Sequence, residues 1–187
     1  MFEESNIFYV LNKPELKKGL QKYVEIMNTL CHTNVANDKN FQKLYNAFYR
    51  MRQRKPEFYQ IYFTYLEKIK SCDEQISFED VFYYIQNHTG RCEASFSSKL
   101  FATVYPKQPV WDVFVLNNLG IKKIYSKSKN REQKIINAYN EICQWYEKKL
   151  NSVDGARIIS TFDKIYPDVN ITNTKKIDLF LWQHRVK

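Results

Sequence analysis

Glycine and proline are scarce in this chain, with only four of the first and five of the second among 187 residues. A β-rich fold needs turn residues at short intervals, so this scarcity excludes it and favours long helices with few connections. No apolar run approaches the ~20 residues of a membrane span. The first residues, Met1-Phe2-Glu3-Glu4-Ser5, are acidic and carry neither a basic n-region nor an apolar h-region, so no secretory signal is expected. The four cysteines (Cys31, Cys72, Cys92 and Cys143) form no C-x-x-C pair. Close pairs announce a structural zinc site, and a disulfide framework needs a denser pattern, so four buried or half-buried thiols in a reducing cytoplasm are expected instead. His32, His88 and His184 show no H-E-x-x-H spacing, and neither a metal nor a cofactor is expected.

What is present is aromatic and basic. Hydrophobic residues make up 44% of the chain and aromatics 16%, so a core dense in Tyr and Phe is expected, with buried hydroxyls in need of partners. Lys and Arg outnumber Asp and Glu by 29 to 20, a net charge of +9. A surplus of this size points toward nucleic acid or another polyanion, DNA first, and the lack of an apolar span leaves no membrane partner expected.

The hydrophobic spacing predicts one all-α domain over 1–187, without repeats, low-complexity tracts or linkers. Pro14 opens the first clear helix, with Leu16, Leu20, Tyr23, Val24 and Met27 on one stripe. Asp38 caps the next, whose stripe is Phe41, Leu44, Tyr45, Phe48 and Met51. The basic run Arg50, Arg52, Arg54, Lys55 complements its C-terminus, and Pro56 starts a third helix. Ser77-Phe78-Glu79-Asp80 reads as a cap with acidic first-turn residues, and Gly90 as the stop of that helix. A short helix around Lys99–Tyr105 should begin at Ser95 or Ser97 and be broken by Pro106. Asp112 should cap Val113–Leu119, with Gly120 as terminator. After the basic connection Lys122, Lys123, Lys127, Lys129 and Arg131 comes a long helix with Gly155 near its end. Ala156–Tyr166 reads as one more helix, and a last one carries Ile177, Phe180, Leu181 and Trp182.

The stretch Thr89–Gly120 is the most informative for function. Within it, Ser98-Lys99-Leu100-Phe101-Ala102 is followed by Pro109-Val110-Trp111-Asp112. This pairing resembles the core of the helix-hairpin-helix DNA glycosylase superfamily. It also resembles a bacterial subgroup of that fold with a Ser-x-x-Ser-Lys-Leu and Pro-x-Trp-Asp pattern. The resemblance covers about thirty residues and places the hairpin turn at Glu93–Ser98. It implies a DNA-repair-like protein, a base-excision glycosylase or lyase. In it Lys99 attacks the sugar and Asp112 supports cleavage of the glycosidic bond. Phe96 and Trp111 would stack on an extruded base, as enzymes that act on a flipped nucleotide require. Ser97 and Ser98, with Lys122, Lys123, Lys127, Lys129 and Arg131, would bind phosphates. The residues also admit a simpler account. Asp112 is placed as a helix cap, Lys99 fits an exposed helix lysine, the serines fit caps and Trp111 fits a core anchor. The alternative function is a non-enzymatic helical module that binds nucleic acid or protein.

Overall fold

The computed structural model describes residues 2–72, 74–122, 124–125 and 127–184. Among them are ten α-helices and no strand: α1 (Glu4–Leu11), α2 (Pro14–Leu30), α3 (Lys39–Tyr49), α4 (Pro56–Ile69), α5 (Phe78–Thr89), α6 (Ala94–Val104), α7 (Val113–Leu119), α8 (Arg131–Leu150), α9 (Val153–Ile165) and α10 (Asn173–Gln183). No helix among the described residues is long and apolar enough to cross a membrane. Two compact units emerge. The first holds residues 1–20 and 106–187, and the second Gln21–Tyr105, with the boundary falling inside α2.

Most helix ends follow from local chemistry. Asp38 Oδ1 accepts the amides of Asn40 (2.8 Å) and Phe41 (2.9 Å), two donors that the first turn of α3 would otherwise leave open. Ser77 and Asp80 form a reciprocal capping box at α5. Gly90 and Gly120 close α5 and α7 in the left-handed region, with φ of 67° and 69°. Hydrogen bonds to the Ser77 hydroxyl and amide hold the Asp80 carboxyl below its ordinary range.

In the second unit, α5 and α6 form a helical hairpin. The turn expected at Glu93–Ser98 lies elsewhere. Residues 94–98 are already helical, and the chain reverses over Gly90–Glu93, where the glycine takes the positive φ. In α6 all but Ser95 and Val104 are buried, so it is a central helix rather than a surface one. Phe58, Tyr62, Phe63, Phe82 and Leu100 pack in the same core. Each such side chain contributes about 1.5–3 kcal/mol when fully buried.

The loop from α3 to α4 is unusual in its backbone. Arg50 (φ 53°) and Gln53 (φ 62°) both adopt the left-handed conformation without being glycine, which costs on the order of 1 kcal/mol or more at each. The amides of Arg50 and Met51 both reach the Asn46 carbonyl, and the Met51 side chain is buried. These contacts hold the turn in place.

The first unit contains α1, α7, α8, α9, α10 and the start of α2. Helix α1 is not apparent from the spacing. Phe8 and Tyr9 are exposed while Ile7, Val10 and Leu11 are buried, so apolar residues surround the helix and hide its period. Gly155 also differs from expectation. It lies in the first turn of α9, beyond the end of α8, capped by the Ser152 hydroxyl. A Cβ there would overlap the carbonyl of Lys149, and this close approach requires glycine. Two of the four cysteines, Cys31 and Cys72, are exposed rather than buried, and all four are free thiols. Burial pushes the Cys143 thiol up to about 11.

Candidate functional site

Lys99 belongs to the second unit and Asp112 to the first. Lys99 sits in the middle of α6 with only 6% of its surface exposed, so it is not a solvated helix lysine. Its Nζ lies 5.2 Å from the centre of the Phe96 ring. Phe96 is 8% exposed. The Arg54 guanidinium covers it at 4.8 Å, and Phe58 packs against it with centroids 5.6 Å apart. Arg54 is held there by a two-point contact with Glu93, 2.9 Å at each nitrogen. Ser97 and Ser98 are buried. The Ser98 hydroxyl donates to the Ser95 carbonyl (3.0 Å), and the Ser97 hydroxyl has no hydrogen-bond partner among the described residues.

Five hydroxyl and carbonyl groups fix this part of α6 from behind. The Tyr62 hydroxyl donates to the Phe96 carbonyl (3.0 Å) and lies 2.9 Å from the Tyr45 hydroxyl. The Thr103 hydroxyl donates to the Lys99 carbonyl (2.7 Å) and lies 3.1 Å from Tyr45 Oη. Burial drives the Tyr45 and Tyr62 phenols far above their ordinary titration range, so they act only as neutral donors and acceptors.

In the first unit, Asp112 caps α7 as its sequence position implies. Its Oδ1 accepts the Phe114 amide at 2.9 Å. Trp111 is half-buried. The charge of Asp112 also reaches a buried group that the sequence does not advertise. Lys175 and Asp178, each 1% exposed, form an ion pair of 2.7 Å one turn apart on α10. Tyr146 of α8 donates its hydroxyl to the other oxygen of Asp178 at 3.0 Å. Burial raises the Asp178 carboxyl. The Lys175 ammonium and the Tyr146 hydroxyl pull it back, and Asp112 adds a small upward push.

Lys122, Lys127 and Lys129 of the basic connection are exposed, and none meets a carboxylate among the described residues. Arg131 opens α8, half-buried, with its Nε lacking an acceptor among the described residues. Lys123 lies outside the described residues. No group of three or more His, Cys, Asp or Glu among the described residues is placed to hold a metal ion.

No protein-family model, no curated protein and no solved structure matches this chain.

Proposed function

We propose that this protein binds the phosphate backbone of nucleic acid, DNA in the first instance, through the connection that leads into α8. The observation that carries the reading is the run of exposed lysines Lys122, Lys127 and Lys129 ahead of Arg131, which meet no carboxylate among the described residues, in a chain of net charge +9. Cations that neutralise phosphates release condensed counterions, so affinity must fall steeply with salt. Substituting the three lysines by glutamine is expected to lower the slope of log affinity against log salt by about one per lysine. Fluorescence anisotropy with a labelled duplex, titrated between low and physiological salt, measures it. A wild-type affinity that ignores salt, or an unchanged slope in the triple variant, removes this reading.

A second reading, base excision with Lys99 as nucleophile and Asp112 as its electrostatic partner, is favoured by one observation. Lys99 is nearly fully buried with its amine over the Phe96 ring, and nucleophilic lysines sit in hydrophobic pockets of this kind. In that step Nζ bonds to the sugar C1′ as the glycosidic bond breaks, and the base leaves with the bonding electrons and takes up a proton. Ring opening, with loss of the amine protons, then gives an imine, and added borohydride reduces it to a stable amine. Borohydride is expected to trap wild type, but not Lys99→Ala, on duplexes bearing an abasic site or an oxidised base. Absence of an adduct with wild type on every lesion, or an undiminished adduct with Lys99→Ala, rules the reaction out.

A further inference from the structure

We infer that the loop Arg50–Lys55 is a second, separate phosphate-contacting surface, built on the α3–α4 turn. The inference rests on the reading of the protein as one that binds nucleic acid.

The residue just past a helix C-terminus in the left-handed conformation is most often glycine, because glycine has no Cβ to clash. Here the position holds an exposed arginine at φ 53°, and three residues later Gln53 repeats the conformation at φ 62°. The Arg50 side chain makes no hydrogen bond or ion pair among the described residues. Folding alone would favour glycine, so the guanidinium serves something outside the chain.

The loop is also held rigid. The Arg50 and Met51 amides share the Asn46 carbonyl. The Tyr59 hydroxyl donates to the Met51 carbonyl at 3.0 Å. Arg54 turns inward, donating to the Gln53 carbonyl (3.0 Å) while its two-point contact with Glu93 ties the loop to the start of α6. One cation of the run is thereby spent on structure. The other three, Arg50, Arg52 and Lys55, are exposed and meet no carboxylate among the described residues. Arg91, exposed and 2.7 Å from Glu93, shares that carboxylate with Arg54. A preorganised loop loses little freedom when its cations engage a ligand. Guanidinium groups suit phosphate oxygens in particular. The one large apolar side chain of the loop, Met51, is buried, so nothing here inserts into a lipid bilayer.

The test uses the variant that folding should prefer. Arg50→Gly is expected to raise Tm by roughly 2–4 °C, through relief of the left-handed strain. At the same time it should weaken duplex DNA binding and lower the salt slope by about one. Adding Arg52→Gln and Lys55→Gln should lower the slope by about three in all. Loss of binding in a protein that has become more stable is not a folding defect. An Arg50→Gly variant that is more stable but binds with unchanged affinity and slope overturns the inference. So does one that is no more stable, since the strain argument then fails. If wild type binds with a steep slope that the connection lysines carry alone, the second surface falls and the parent reading stands. A flat wild-type response sinks both. Phosphatidylserine vesicles provide the other arm: if the loop variants lose vesicle binding but keep DNA binding, the surface belongs to lipid headgroups and the nucleic-acid assignment is wrong.

Discussion

Asp178→Ala is expected to destabilise the protein by about 3–5 kcal/mol, because it leaves the Lys175 ammonium buried without its counter-ion. Both side chains are 1% exposed and 2.7 Å apart, so neither charge can turn to water without opening the α8–α10 packing. The Tyr146 hydroxyl loses its acceptor in the same variant. Equilibrium unfolding in urea measures the change, and the matching fall in Tm is roughly 6–20 °C. A double variant, Lys175→Met with Asp178→Leu, separates charge from shape. Replacing both ions by apolar groups of similar volume removes the desolvation penalty together with the attraction, so it should recover most of the loss. A single variant within 1 kcal/mol of wild type, or a double variant no better than the single, would contradict the buried-pair account.

The same pair sets a pH dependence. Burial raises the Asp178 carboxyl above its unfolded value, so between the two values the folded state binds more protons than the unfolded chain. The contribution of Asp178 to stability is therefore greatest below the ordinary carboxylate range. It declines as pH rises toward the folded value and is level above it. Asp178→Asn should remove that decline from the acid limb of the stability profile.

What could be read from the sequence was what is decided locally. Asp38, the Ser77–Asp80 box, Gly90, Asp112 and Gly120 act within three or four residues of themselves, and the structure has them where their spacing implies. Lys175 and Asp178 are spaced as an ordinary surface pair. Their burial depends on α8, whose Tyr146 lies 32 positions away, and nothing near α10 signals it. Lys99 shows the same limit, since an amphipathic reading leaves it in water while α6 is enclosed almost all round. Gly155 was legible as a helix-boundary residue, but its reason is a backbone approach by Lys149. Arg50 reads as a favourable charge at a helix end, and only the backbone shows what it costs there.

Tyr62→Ala is expected to cost about 3–5 kcal/mol, the usual range for deleting a buried aromatic ring. The ring is wholly enclosed and packs against Phe58 and Phe63 at centroid distances of 5.9 and 5.4 Å. Its hydroxyl carries a separate share. Tyr62 donates to the Phe96 carbonyl, so its contact with Tyr45 requires Tyr45 to be the donor. With its proton committed, Tyr45 has none for Thr103, whose own proton goes to the Lys99 carbonyl while its oxygen is within reach of Tyr49 at 3.3 Å. Two relays, Tyr45 to Tyr62 to the Phe96 carbonyl and Tyr49 to Thr103 to the Lys99 carbonyl, thus end on the backbone of α6. Tyr62→Phe removes the donor to the Phe96 carbonyl and the acceptor of the Tyr45 proton, which should cost about 1–3 kcal/mol. Tyr45→Phe combined with Tyr62→Phe should cost less than the sum of the two, because both single variants remove the same Tyr45–Tyr62 bond. Urea unfolding of the four proteins closes the cycle. Additive losses would mean that the hydroxyls act independently, and α6 would then be held by ring packing alone.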